Sequence, residues 1–530
     1  MLGKMQNWPL RLMRLLDHAE QVYGTREIVT CEEDGSVSRT DWKGIARDSR
    51  VFARHLETLG LVPGDRVGTL AKNHARHIVS WFGTMGMGGV IHAINWRLFD
   101  DQIAYIINHA EDRVLLYDTA FAPVVERIRP QLRTVEHFIC FDDEFIAIMA
   151  YEASDYRWHE GGEREPAMLC YTSGTTGNPK GVLYEHRSTM LHTMAVVGPD
   201  AFNLAHNCTS LSFVPLFHAA SWGLPFVCAL SGARLIFAVP GDIPTMHRML
   251  IEERVTHSAG VPTVWTAMLQ HIDARGLDLG KLRHISVGGS AASRALIGRF
   301  IDLGINFQHL WGMTEISPVG TICAYPDDWD ALDREAKIDC IRMQGVPAFG
   351  VELRIIDEAG QALPHNGKAA GELQVRGAWV VDTYFQSETP AVDADGWFGT
   401  GDIAVIHPNG YIQITDRAKD VIKSGGEWIS SIDLENAAAG CPGVLQAVAL
   451  GIPHPKWEER PILLVVRAPG AQLCEQVVRD HLATHVARWW VPEEILFVDS
   501  LPLTGTGKVM KAELRERYKG HKLASLDSNS

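Results

Sequence analysis

A chain of 530 residues exceeds what one hydrophobic core serves, so two or more domains are expected. With 46% hydrophobic and 21% charged residues it has the composition of a folded globular protein, which excludes extended disorder. The net charge of -15 argues against nonspecific nucleic-acid binding, which draws on clustered lysine and arginine, and leaves a local nucleotide site open.

In chain order, the first segment, MLGKMQNWPLRLMRLLDHAEQ, spaces its apolar residues for an amphipathic helix, with charges too frequent for a signal peptide. The stretch from Ile78 to Trp96 holds glycines and a histidine, and reads as a buried helix and strand rather than a membrane span. From Asp41 to Arg376, helix-period segments alternate with short apolar runs: Arg66 to Leu70, Val90 to Ile94, Val114 to Tyr117, Ala167 to Tyr171, Ser210 to Pro215, Arg234 to Ala238, His257 to Gly260 and His284 to Val287. That alternation predicts βαβ units and parallel sheets, and the region is long enough for two sheets packed together. After Gly350, period-2 patterning and the Asn409-Gly410 turn predict antiparallel strands in a small barrel-like subdomain. The charged break Asp416-Arg417-Ala418-Lys419-Asp420 precedes about 110 residues with strand and helix signals of their own, which places a domain boundary there. The nine cysteines show no CxxC pair, and Cys31, Cys140, Cys170 and Cys228 lie in or beside apolar runs, the pattern of reduced core thiols in a cytosolic protein. The terminal LDSNS is no peroxisomal or retention signal, so the cytoplasm is the expected location.

Residues 171 to 181, YTSGTTGNPKG, say most about function. Gly174 and Gly177 free the backbone to turn, Thr172, Ser173, Thr175 and Thr176 offer hydroxyls, and Lys180 brings a cation, which together suit a polyphosphate. The tract is not a Walker A loop, since two residues separate Gly177 from Lys180 and glycine follows the lysine. Alone such a tract is more often a flexible surface loop, but the apolar run Met168 to Tyr171 before it and helix-like residues from His186 after it predict strand, loop and helix in succession.

The tract resembles the signature of the adenylate-forming superfamily, and six further segments match that family in order over nearly the whole chain. The implied fold is a large N-terminal unit, residues 1–417, of two packed α/β sheets and the barrel-like subdomain, followed by a small mobile α+β unit, residues 418–530. In His309-Leu-Trp-Gly-Met-Thr-Glu315 the resemblance implies that Trp311 stacks on adenine within Trp311, Gly312, Met313 and Thr314, that Thr314 meets a phosphate oxygen, and that Glu315, with Thr175, serves Mg²⁺. The family more often has tyrosine where Trp311 stands, so a hydroxyl contact would be lost. Asp402 in Thr400-Gly401-Asp402 would bind both ribose hydroxyls, and Gly289, Ser290 and Ala291 would form the adenine edge and acyl-pocket wall. Arg417 would contact ribose or phosphate, and Lys419 would be the hinge. Lys508, in Pro502-Leu-Thr-Gly-Thr-Gly-Lys508, would bridge carboxylate and α-phosphate during adenylation. Ser424, Gly425, Gly426 and Trp428 would line the pantetheine tunnel.

Pro215-Leu-Phe-His218-Ala-Ala-Ser-Trp222-Gly resembles the mouth of the acyl pocket, with His218 beside the substrate carboxylate and Trp222 as gate. Trp222 together with GGEWIS resembles the subgroup of medium- and long-chain fatty acyl-CoA ligases and methylmercaptopropionate-CoA ligases. Peptide-synthetase domains usually carry an aspartate near Ala219, which this chain lacks, so an amino acid is not the expected substrate. The expected reaction joins a short or medium apolar carboxylic acid to coenzyme A with ATP and Mg²⁺, in a homodimer without nucleic-acid or membrane partners. An acyl-AMP ligase serving a carrier protein and a non-catalytic nucleotide-binding regulator are the alternatives.

Overall fold

The computed structural model describes residues 3–151, 155–172, 178–425, 427–503 and 509–523. Two sheets organise the first two thirds of the chain. A six-stranded sheet is built around the parallel strands Asp112–Tyr117, Arg66–Leu70, Val90–Ala93 and Pro166–Tyr171, taken in spatial order. A nine-stranded sheet is centred on Asn306–Gly312, His284–Val287, His257–Gly260, Thr209–Ser212 and Arg234–Phe237, all parallel. The apolar runs of the sequence become these strands with ends shifted by at most three residues, as hydrophobic continuity predicts for strands buried on both faces.

Both faces are indeed covered. In the nine-stranded sheet Leu235 and Phe237 join the central core, while Ile236, between them, joins a second cluster beneath Ile243–Glu252, Pro262–Arg275 and Arg294–Asp302. The central core lies between the sheets and is filled by the helices Trp42–Thr58 and Ala75–Gly86. The stretch from Ile78 becomes buried helix and strand as expected, and the amphipathic N-terminal segment becomes the helix Met13–Tyr23 with Leu15, Leu16 and Ala19 inward. Among the described residues, no helix is long and apolar enough to cross a membrane.

The region expected to be barrel-like forms a four-stranded antiparallel sheet of Val351–Ile356, Ala370–Gly377, Phe398–Ile406 and Ile412–Arg417, paired in chain order. The last hundred residues form an α+β unit whose mixed sheet has an apolar cluster on each face, one around Leu463 and Val465, the other around Ile462 and Leu464.

One expectation is corrected. The helix begins at His186 as expected, but a strand, Gly181–Glu185, stands between it and the glycine tract and pairs antiparallel with Pro166–Tyr171. The run Val182-Leu183-Tyr184 has the β-branched and aromatic character that favours sheet pairing, so the tract is a hairpin connection rather than a strand-to-helix turn. No helix N-terminus is therefore placed directly after it.

Gly345 leads from the helix Arg334–Arg342 into the short strand Val346–Pro347 at φ +78°, and a Cβ there would stand 1.9 Å from the Ile322 carbonyl oxygen. Gly345→Ala is expected to lose about 2 kcal/mol or more through left-handed strain and backbone overlap. A melting temperature equal to that of the unsubstituted protein would refute this.

Candidate active site

Parallel sheets expose loops at the carboxyl ends of their strands, where ligands commonly bind. At that edge of the nine-stranded sheet stand His218 and Trp222 after Thr209–Ser212, Gly289, Ser290 and Ala291 after His284–Val287, and Trp311 to Glu315 at the end of Asn306–Gly312. The glycine tract leaves the carboxyl end of Pro166–Tyr171 in the other sheet. Its described ends are tied together: the Thr172 N–H donates to the Lys180 carbonyl at 2.9 Å and the Lys180 N–H to Thr172 Oγ1 at 3.2 Å. Ser173, Gly174, Thr175, Thr176 and Gly177, like Gly426 and Lys508, lie outside the described residues.

Two chains of contacts join these loops. In the first, the Trp311 indole N–H donates to Asp402 Oδ2 at 2.9 Å, and Arg417 Nε meets Asp402 Oδ1 at 2.8 Å. Asp402 is 2% exposed, so these donors support a buried carboxylate. Asp402 and Arg417 are cross-strand partners, which sets the ion pair by register. The indole nitrogen thus supplies a polar contact of its own where the family's tyrosine would have offered a hydroxyl.

In the second, Tyr384 Oη donates to Glu315 Oε1 at 3.0 Å, and the Lys180 ammonium lies 4.7 Å from the centre of the Tyr384 ring. Burial pushes the Glu315 carboxyl above its ordinary range, opposed by the Tyr384 hydrogen bond and by the charges of Arg417 and Lys180. Tyr184 Oη donates to the Thr314 carbonyl at 2.6 Å, fastening the strand after the glycine tract to the Thr314 segment. Gly312 allows close approach: a Cβ there would be 1.9 Å from the Pro318 carbonyl oxygen, which accepts the Met313 N–H at 3.0 Å.

The His218 to Gly223 segment is strained. Ala219, Ala220, Ser221 and Trp222 all have φ between +43° and +57°, followed by Gly223 at +80°. Each non-glycine residue in this left-handed region costs roughly 1 kcal/mol. The turn is held by the Ser221 N–H donating to the His218 carbonyl at 2.9 Å and Ser221 Oγ donating to the Val214 carbonyl at 3.1 Å. Trp222 is buried, and its indole reaches to 3.4 Å from where a Cβ on Gly288 would stand.

Beyond Arg417, Asp416 is 1% exposed and accepts from the Ser431 N–H at 2.6 Å and Ser431 Oγ at 2.9 Å, linking the four-stranded sheet to the C-terminal unit. Burial raises its carboxyl to about 6, with Lys511 and Ser431 opposing. Lys419 is exposed, and burial of its stem lowers its ammonium, helped by Arg515 and Arg417. Ser424 and Gly425 find partners within their own sheet rather than at Trp311: Arg460 donates to Ser424 Oγ at 3.2 Å, and the Gly425 N–H donates to the Trp457 carbonyl at 2.9 Å. Trp428 pairs with Lys423 across a short hairpin and is 36% exposed. Sequence reasoning missed Tyr384 and Tyr184; Tyr384 lies between strands in a segment without periodicity, where it is not set apart from the neighbouring Phe385 and Trp379.

Comparison with known proteins agrees with this arrangement. The profile of the AMP-binding enzyme family matches residues 16–385, and that of the AMP-binding enzyme C-terminal domain matches residues 433–508. The chain is 43% identical to the 3-methylmercaptopropionyl-CoA ligase of Ruegeria lacuscaerulensis, covering 98% of this chain and 99% of that one. It is 41% identical to the medium-chain-fatty-acid–CoA ligase of Ectopseudomonas oleovorans, covering 98% of each. ATP-bound MatB from Rhodopseudomonas palustris superposes with a TM-score of 0.82 at 26% identity, covering 97% of this chain and 99% of that one. The chain belongs to the AMP-binding enzyme family, within the adenylate-forming superfamily. Its activity is that of an AMP-forming acyl-CoA ligase.

Trp311→Phe keeps a ring and removes the donor to Asp402, so the KM for ATP should rise roughly five-fold, the equivalent of about 1 kcal/mol for one hydrogen bond. An unchanged KM in steady-state assays would separate Asp402 from nucleotide binding. For Asp416 the folded carboxyl ionises near 6 and an unfolded aspartate near 4, so the folded chain holds the extra proton between these values. The stability this gives at low pH is lost as pH rises through about 6. Urea unfolding at several pH values should show that loss in the natural protein and its absence in Asp416→Asn; a constant difference between them would exclude it.

Proposed function

We propose that the protein activates a short or medium straight-chain carboxylic acid, or a short thioether acid such as 3-methylmercaptopropionate, as its acyl-AMP and passes the acyl group to coenzyme A. The observation that carries this reading is the meeting of Trp311, Asp402 and Arg417 with Glu315, Tyr384 and Lys180 where the loops of three sheets converge. Such a site offers an aromatic ring for adenine, a buried carboxylate for ribose hydroxyls and a lysine for phosphates. The names of the relatives support the two acid classes.

In this reading His218 lies beside the substrate carboxylate and Trp222 closes the acyl path. The residues present fit a magnesium ion: Glu315 is a buried carboxylate facing cationic neighbours, and among the described residues no three metal-ligating side chains gather, so the nucleotide phosphates would complete its shell. When bound, the ion would neutralise phosphate charge; Thr175 is the second protein group we assign to it. Lys508 places its ammonium between the carboxylate and the α-phosphate, two anions that otherwise repel. The unit from residue 418 then turns about Lys419, withdraws Lys508 and brings the segment Ser424 to Trp428 to the coenzyme A thiol. AMP leaves as the thiol attacks, so no nucleophile from the protein is required. Seven of nine cysteines are buried and none is in a disulfide, which supports a reducing compartment, and we place the protein in the cytoplasm as a homodimer.

The test is AMP release from acids of two to twelve carbons, thioether acids included, with and without coenzyme A. One class should give adenylate that coenzyme A consumes, and Lys508→Ala should cut adenylation by about 10² or more while ATP still binds. Adenylate that coenzyme A leaves untouched would refute the ligase reading, and unchanged adenylation in the variant would remove Lys508 from the chemistry.

A further inference from the structure

The helix His186–Val196 carries a polar group for which adenylation has no use. His192 is fully buried, and its Nε2 accepts the Val319 N–H at 3.3 Å. Burial pushes the imidazole down to about 3, so the ring is neutral and its one proton sits on Nδ1. That Nδ1–H has no acceptor among the described residues, and a buried donor left unmet costs about 1–3 kcal/mol. Thr189, one turn earlier on the same helix face, is also buried with its hydroxyl unpartnered.

The surroundings of His192 indicate what supplies the acceptor. A Cβ on Gly223 would stand 3.1 Å from both Nδ1 and Cε1, so the ring edge bearing the proton faces the glycine that follows Trp222. On the other side Val319 pairs with Gly312, and the Trp379 ring meets the imidazole edge-on at 5.8 Å, its indole donating to the Val319 carbonyl at 3.0 Å. The unmet donor thus lies between the strained turn bearing the gate tryptophan and the strand that follows Glu315. A side chain at position 223 would press against that edge, and glycine spares it the contact. Set beside the Trp379 ring and itself neutral, it suits an uncharged acceptor.

We infer that His192 determines acyl specificity: its Nδ1–H donates to an acceptor atom within the acyl chain, a thioether sulfur or an ether oxygen, and so selects a heteroatom-bearing acid over its all-carbon isostere. This rests on the acid:CoA ligase reading above. A site built around a buried donor rejects the analogue that leaves it unpaired, whereas a purely apolar pocket accepts both.

The experiment compares kcat/KM for 3-(methylthio)propionate, 3-methoxypropionate and pentanoate, which have equal chain length, in the natural protein, His192→Leu and His192→Asn, following coenzyme A-dependent AMP release. The natural protein should favour at least one heteroatom acid over pentanoate by about ten-fold, equivalent to one buried hydrogen bond. His192→Leu should bring that ratio near one chiefly by losing the heteroatom acids, and His192→Asn, which keeps an N–H donor, should retain part of it. A ratio unchanged in an active His192→Leu, or near one in the natural protein, overturns the inference and leaves a trapped water or plain packing as the role of His192. Should both variants fail to fold, the natural protein's ratio decides alone. If no acid gives coenzyme A-dependent AMP release, the ligase reading fails instead.

Discussion

A carboxylate at 2% exposure survives as a charge only if donors surround it, and Asp402 is the group on which the site depends. Its donors come from different parts of the fold. Trp311 ends a strand of the nine-stranded sheet, while Arg417 ends the strand paired with that of Asp402. Satisfying this one charge therefore ties the four-stranded sheet to the large sheet.

Glu315 repeats the logic with a different sign of completeness. Burial raises its carboxyl, and a backbone hydrogen bond, the Tyr384 hydroxyl and the charges of Arg417 and Lys180 oppose that only in part. The Lys180 ammonium over the Tyr384 ring connects the same group to the glycine tract of the other sheet. The left-handed turn at Ala219 to Trp222 sets four successive non-glycine residues at positive φ, and it too borders the site. Four strained residues in succession beside the site are the pattern of a region shaped for a ligand rather than for stability.

Much of the fold was legible because both faces of each central strand are buried. Arg66 to Leu70, His257 to Gly260 and His284 to Val287 read as strands from their place in the alternation with helix-period segments, and the structure keeps those bounds. The hairpin after the glycine tract was not legible, because a short apolar run such as Val182 to Tyr184 serves a strand or a buried helix start equally well, and only pairing with Pro166–Tyr171 decides. In the site, Trp311, Glu315, Asp402 and Arg417 stood out by motif. Tyr384 and His192 did not: one lies in an aperiodic segment, and the other is a histidine on a helix whose neighbours in space are distant in sequence.

The sequence by itself determined the chemistry on offer: the family, the two-sheet α/β architecture, and the residue types of the candidate site, because local patterning and ordered motifs survive without knowledge of packing. Only the tertiary structure decided which of those groups meet. That the Trp311 indole donates to Asp402, that Tyr384 stands between Lys180 and Glu315, and that His192 keeps an unmet proton beside Gly223 all depend on contacts between residues far apart in the chain. Burial sets the cost of each unpaired polar atom, and burial is a property of the packed whole.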